Sequence, residues 1–169
     1  MDDGLEHNPN ISRRALAAQH GAAYAWALSL TGYDAAAAAD VMQQSYLIIV
    51  EGRARFEQRS SLKTWLFGVV RNTARRARRH DRRELALLSR FGAEPVEEST
   101  AKGYESDTGV GAALTSLPRR QRDVLELVIY SEFTLEECAD VLGISLGSVR
   151  THYHRAKAAV RRRLEIRDE

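Results

Sequence analysis

The segment Leu117-Pro-Arg-Arg-Gln-Arg-Asp-Val-Leu-Glu-Leu127, followed closely by Thr134-Leu-Glu-Glu-Cys-Ala-Asp-Val-Leu-Gly-Ile-Ser-Leu-Gly-Ser-Val-Arg150, spells out a helix, a turn, a short capped helix, a glycine corner and a long basic helix. Thr134 and Glu137 have the spacing of a capping box, in which each side chain satisfies a backbone N–H that a first helical turn leaves unpaired. Leu135, Ala139 and Leu142 share one face of the short helix. Gly143 suits the left-handed corner that ends it, because it has no side chain to clash there. Ser145 is placed to cap the next helix. This is the grammar of a helix-turn-helix, whose second helix is the one that enters a major groove.

The orientation of that second helix follows from its pattern. At about 100° per residue, Val149, Tyr153, Ala156 and Val160 form one apolar stripe for a core. The opposite face carries Gly147, Arg150, Thr151, His154 and Ala158, with Ser148 and Arg155 at its edge. Arginine forks onto guanine, hydroxyls reach bases or phosphates, and Gly147 permits close approach. From Arg150 to Arg163 there are six basic residues and no acid. A basic helix end can also be a solvated face that complements the helix dipole. Behind a capped helix and a glycine corner, contact with DNA is the better reading.

At 169 residues the chain has room for one medium domain or two small ones. Its formal charge of +2 says little, but the distribution says more. Residues 51–83 hold eleven basic and three acidic residues, whereas residues 84–112 hold two basic and six acidic ones. The stretch from Glu94 to Gly109 is rich in Pro, Gly, Ser and acids and poor in core-forming groups, which marks a flexible acidic linker at 91–110. Two helical modules, 10–90 and 111–167, flank it. The one cysteine, Cys138, excludes an internal disulfide and fits a buried packing role in a reducing compartment. The acidic N-terminus is unlike a signal peptide, and no apolar stretch is long enough to span a bilayer, so the expectation is a cytoplasmic protein without membrane insertion. The five histidines (His7, His20, His80, His152 and His154) do not pair with acids at ligand spacing. With no glycine-rich phosphate loop and no nucleophile elbow, the sequence points to no metal, no cofactor, no small-molecule substrate and no enzymatic reaction.

The first module has a basic helix of its own, Ser61-Leu-Lys-Thr-Trp-Leu-Phe-Gly-Val-Val-Arg-Asn-Thr-Ala-Arg-Arg-Ala-Arg-Arg79. Leu62, Trp65, Leu66, Val69, Thr73 and Ala77 form its inner stripe, with Trp65 read as core. Thr64, Phe67, Arg71, Arg75 and Arg78 lie outward. An aromatic ring among outward arginines suits unstacked bases, each of which offers a π-face beside a phosphate. Phe67 is open between a base contact and a protein contact. Upstream, Leu16 to Leu30 repeats apolar residues at helical spacing, broken by Thr31-Gly32-Tyr33. After the Asp34 cap, an alanine run leads into a helix ending at Val50, with Asp40, Gln43 and Gln44 polar on its N-terminal half. Tyr46 to Val50 has strand-like composition, but it continues the helical pattern. The fold class is all-α, with strand signals nearly absent.

Taken together, these residues resemble a bacterial sigma factor of the extracytoplasmic-function (ECF) group of the sigma-70 family. Thr31-Gly32, Ala38-Ala-Asp-Val-Met-Gln-Gln-Ser-Tyr46, Phe56 and Leu62-Lys-Thr-Trp-Leu-Phe-Gly-Val-Val-Arg-Asn72 resemble the pattern of sigma region 2. Leu114 to Leu117 with Pro118, Arg119, Gln121, Arg122 and Leu125 resembles the start of region 4. Gly143-Ile-Ser-Leu-Gly-Ser-Val-Arg150 with His154-Arg155-Ala156-Lys157 resembles its promoter-reading helix.

The resemblance implies a role rather than a reaction: binding core RNA polymerase and directing it to promoters. It implies that Gly147, Ser148, Arg150, Thr151, His154 and Arg155 read a minus-35 element as duplex. Phe56 to Lys63 fall near the loop that receives a flipped-out base of the minus-10 element, and Arg71, Asn72 and Arg75 lie along the helix that follows the melted strand. Asp40, Gln43 and Gln44 fall in the polymerase-docking helix. Family members usually carry acids on both sides of that helix. Here the stretch is Ala39-Asp40-Val41-Met42-Gln43-Gln44, which implies docking that is weaker or more dependent on other contacts. The resemblance also implies control by a separate anti-sigma factor. The linker acids Glu94, Glu97, Glu98, Glu105 and Asp107 are open between a solvated tether and a stand-in for RNA in the exit channel. The rival reading is a stand-alone LuxR-type regulator, which needs only the helix-turn-helix and leaves Asp40–Asn72 unexplained.

Overall fold

Local signals account for most of the helices in the computed structural model, which describes residues 4–90 and 113–165. The acidic linker at 91–110 lies outside the described residues, as do the first two residues of the second module and its end at 166–167. The chain runs through a hairpin of β1 (Gly4–Leu5) and β2 (Asn8–Ser12), then helices α1 (Arg13–Ala18), α2 (His20–Leu30), α3 (Ala35–Val50) and α4 (Leu62–Arg90). A helical turn at 113–115 leads to α5 (Arg119–Ile129), α6 (Leu135–Leu142) and α7 (Leu146–Glu165). Ser12 caps α1 by accepting from the Ala15 backbone N–H at 3.1 Å, and Asp34 caps α3 by accepting from that of Ala37 at 3.0 Å. The alanines after Asp34 and the whole of Tyr46–Val50 are helical.

Helices α2, α3 and α4 pack on one another to form the first module, and α5, α6 and α7 form the second. At about 43 Å, α4 is long enough to serve both. Its first half packs against α6 as well as against α2 and α3. The hydrophobic core is correspondingly shared. Trp26 stacks on Phe67 with ring centroids 6.1 Å apart, and Phe67 meets Phe133 edge-on at 4.8 Å.

The all-α class describes the architecture, and the structure adds three departures from sequence expectation. The hairpin at 4–12 pairs antiparallel and buries Leu5 and Ile11 in the core. Strands of two and five residues are too short to print a period-two pattern. Secondly, the outward face expected for α4 is not outward throughout. Thr64, Phe67 and Arg71 are buried, with Phe67 at 0% exposure and Arg71 at 8%, because the second module lies over them. A helical wheel gives the direction of a side chain from its axis but says nothing of what is laid against it. Finally, Trp65 packs against the core as expected but is only half-buried. Its indole N–H donates to the Arg55 carbonyl at 3.1 Å, and its ring leans on Phe56 at 5.3 Å.

Candidate nucleic-acid interface

The helix-turn-helix assembles from short-range bonds. Thr134 Oγ1 accepts from the Glu137 backbone N–H at 3.1 Å, and the Glu137 carboxylate accepts from the Thr134 N–H at 2.9 Å. This reciprocal pair fixes the start of α6. Gly143 ends it at φ +57°, where nothing stands within 4 Å of a would-be Cβ, so the demand for glycine is one of backbone conformation alone. Ser145 Oγ accepts from the Ser148 N–H at 3.2 Å and starts α7. Cys138, Val141 and Leu142 of α6 are buried with Val149 of α7, while Ala156 is buried with Leu117 and Leu125. Burial, with Glu137 and Glu136 adding to it, pushes the Cys138 thiol up to about 12, which leaves it a protonated packing group.

With its apolar stripe in the core, α7 turns the other face to solvent. Gly147, Arg150, Thr151, His154 and Arg155 are exposed, and Ser148 is half-buried beside Ser145. Among the described residues, Arg150 is held by a long exposed ion pair to Glu136 at 3.9 Å, which leaves its guanidinium available. Arg161, Arg162 and Arg163 extend the cationic surface along the same helix.

The residues of the first module divide between solvent and the neighbouring module. Asn72 and Arg75 are exposed on α4, and Phe56 is half-buried against Trp65. Lys63 Nζ donates to the Ser131 carbonyl and lies 4.7 Å from the centroid of the Phe133 ring. Arg71 faces Asp123, and its pKa is lowered by burial first and by Arg120, Arg75 and Arg119 as well, with Asp123 opposing them. Asp123 is itself pushed up by burial and pulled down by Arg119, Arg120, Arg122 and Arg71. Its nearest ion pair is with Arg119 at 3.7 Å.

A second polar contact ties the modules together one turn further along α5. Glu126 accepts hydrogen bonds from Ser29 Oγ and, at 3.2 Å, from the Tyr33 hydroxyl, both at the α2–α3 corner. Burial raises its carboxyl to about 7, with Asp123 adding and Tyr33 and Arg122 opposing. Sequence reading had no means to find this contact, because Ser29 and Glu126 are 97 residues apart.

On α3, Asp40, Gln43 and Gln44 are exposed. Leu47, 44% exposed, and Val50, 51% exposed, continue the same face by one and two turns. These two apolar residues were missed, although their spacing from Gln43 would have found them. Among the described residues, no group of three or more His, Cys, Asp and Glu is placed to hold a metal ion, and no helix is long and apolar enough to cross a membrane.

Two family models match the chain. The model of sigma-70 region 2 matches residues 16–84, and that of sigma-70 region 4 matches residues 109–160. The ECF RNA polymerase sigma factor EcfG of Rhodopseudomonas palustris is 33% identical over 143 residues, spanning 79% of this chain and 74% of that protein. The RNA polymerase sigma factor YlaC of Bacillus subtilis is 28% identical over 134 residues, spanning 75% and 77%. Among solved structures, the sigma factor RpoE in complex with the anti-sigma factor NepR from Bartonella quintana superposes with a TM-score of 0.70 at 25% identity, covering 91% of this chain and 96% of that one. CnrH in complex with the cytosolic domain of CnrY superposes with a TM-score of 0.61 at 26% identity, covering 93% and 92%.

Proposed function

This chain belongs to the ECF sigma factors of the sigma-70 family, and we propose that it delivers core RNA polymerase to promoters by a division of labour between its two modules. As a member of that family it is a regulatory DNA-binding protein of transcription initiation rather than an enzyme. In the proposed mechanism α7 reads a minus-35 element as duplex through Gly147, Ser148, Arg150, Thr151, His154 and Arg155. The loop from Phe56 to Lys63 and the α4 residues Arg71, Asn72 and Arg75 hold the melted minus-10 strand. The protein acts in the cytoplasm.

The observation that carries the duplex reading is the uncovered polar face of α7, backed by an apolar face on which Val149 and Ala156 are buried and Tyr153 and Val160 half-buried. Arg150 and its neighbours can approach base edges without first breaking the fold. Polymerase docking falls to α3. There Leu47 and Val50 offer exposed apolar area beside Asp40, Gln43 and Gln44, which offsets the two carboxylates that this helix lacks. The region 2 match leaves the stand-alone LuxR reading without an account of residues 16–84.

The minus-10 role requires a change of arrangement. Lys63 bonds to the second module and Arg71 is buried beneath it, so strand capture needs that module to move aside. Two solved relatives are complexes of sigma factors with anti-sigma proteins, and the same kind of partner is proposed to hold this chain inactive.

Run-off transcription with purified core RNA polymerase on a genomic promoter library tests the reading. Discrete transcripts sharing paired upstream elements, formed only when the protein is added, are expected. Binding to isolated duplex sites with no transcripts under any condition would instead support the stand-alone regulator.

A further inference from the structure

The hairpin at residues 4–12 precedes the region 2 match, which starts at residue 16, so the family pattern does not account for it. Its central polar group is Asn8, which is only 3% exposed. The amide of Asn8 is used on three sides. Nδ2 donates to the carbonyls of Ile49 at 2.8 Å and Ala54 at 3.0 Å, while Oδ1 accepts from the Phe56 backbone N–H at 2.9 Å. Those three groups belong to the end of α3 and to the loop that joins α3 to α4. Only a primary amide supplies two donors and an acceptor in so small a side chain; aspartate has no donor and alanine neither kind of group.

The hairpin tip also fits closely against the loop. Gly52 has φ +70°, and a Cβ there would stand 2.6 Å from the Cβ of His7. On the other side the loop is braced by Trp65, through its bond to Arg55 and its ring contact with Phe56. Between these supports, Gln58 holds φ +57°, a left-handed conformation that a residue with a side chain keeps only where its surroundings fix it.

We propose that Asn8 is a positioning residue for base capture: one of its hydrogen bonds anchors it to the end of α3, and the other two set the backbone of residues 54–56 so that the loop from Phe56 to Lys63 is ready to receive an extruded minus-10 base. The inference rests on the proposed reading of that loop as the base-capturing element. Its physical basis is that extruding a base costs a few kcal/mol, and a loop that also had to be ordered at that step would add to the barrier. A loop held in advance by a buried amide removes the second cost.

The test uses the full-length protein loaded on core polymerase, with promoter DNA carrying 2-aminopurine at successive minus-10 positions of the non-template strand. In the wild type, one position brightens as its base leaves the stack, and substituting that base weakens open-complex formation. Asn8→Ala is expected to reduce the fluorescence rise at that position by about ten-fold, the equivalent of one or two lost hydrogen bonds. It is also expected to flatten the preference among the four bases there, while affinity for core polymerase is unchanged. Ile11→Val trims the buried face of the same hairpin without touching these bonds and serves as the stability control. Should Asn8→Ala not fold, Asn8→Ser is read in the same way. Base preference that survives in the Asn8 variant, or that is lost equally in Ile11→Val at matched thermal stability, overturns the proposal. If no minus-10 position brightens with the wild-type protein, the reading of the loop itself fails, and the role of Asn8 with it.

Discussion

Glu126 makes the contact between the modules sensitive to pH, and the size of the effect can be worked from its surroundings. The carboxyl is buried between α5 and the α2–α3 corner, where Ser29 and Tyr33 donate to it and Asp123 and Arg122 are its charged neighbours. Burial is the largest influence and raises its pKa from 4.5 to about 7. When the modules part, Glu126 meets water and returns to the ordinary range. That difference corresponds to about 3 kcal/mol in favour of the packed arrangement when the carboxyl is protonated. Below about 4.5 the group is protonated in both arrangements, and the whole advantage is present. As pH rises from there toward about 7, the parted form has lost its proton and the packed form still holds one, so the advantage shrinks by about 1.4 kcal/mol per pH unit. Asp123, also raised by burial, works in the same direction. Small-angle scattering of the full-length protein should therefore show a more compact particle at about pH 5.5 than at about pH 8. Glu126→Gln removes this titration while its amide oxygen still accepts one of the two bonds, and it should expand less than the wild type, the remainder belonging to Asp123. A profile independent of pH, or a Glu126→Gln variant that expands as the wild type does, would refute the reasoning.

Two further outcomes follow from the placement of single side chains. Arg150→Ala should weaken binding of the minus-35 duplex by about 1–3 kcal/mol if the guanidinium forks onto a guanine, measured as polymerase-dependent promoter affinity. Asn72→Ala should leave that affinity alone and slow promoter opening, and identical defects in both variants would sink the division of labour. Phe133→Ala removes the ring that meets Phe67 and Lys63, at a cost to the packed arrangement of about 3 kcal/mol, so the particle should be expanded at every pH. Scattering indistinguishable from wild type would show that the aromatic contact does not hold the modules together.

What was legible in the sequence is what short-range rules govern. The Thr134–Glu137 box, the left-handed Gly143 and the Ser145 cap each involve residues no more than three apart, and the structure forms all three. The stripe from Val149 to Val160 required only helical geometry, and with it the exposed face of α7 followed. The contacts that join the modules had no such signature. Phe67 and Phe133, or Ser29 and Glu126, are brought together by the packing of whole helices, and nothing in their local sequence marks them as partners. Hence α4 could be read correctly as a helix with a cationic, aromatic face while the cover over Thr64, Phe67 and Arg71 went unseen. Asn8 was missed for a related reason, since all three of its partners lie more than forty residues away.

The nature of that cover bears on how the protein is held in check. A basic residue and an aromatic ring on α4 suit a phosphate and an unstacked base, and the second module offers them a backbone carbonyl and another ring instead. The Ser131 carbonyl accepts from Lys63, and Phe133 lies against Phe67 and under Lys63. On the proposed function, the same chemistry serves both partners, so α5 and the turn before α6 occupy the strand-binding surface as a competitor. Strand capture and packing of the modules then exclude each other at Lys63 and Arg71, and whatever free energy holds the modules together is subtracted from promoter opening. A packed arrangement favoured by about 3 kcal/mol would leave under about 1% of the protein open and lower its apparent affinity for the melted strand about a hundredfold. Polymerase on α3 and promoter duplex on α7 can together offset that by engaging the modules at separated sites, because binding that favours the parted form shifts the equilibrium by its differential affinity for the two. An anti-sigma partner can have the opposite effect without touching any DNA-binding residue, simply by binding the packed form more tightly than the open one.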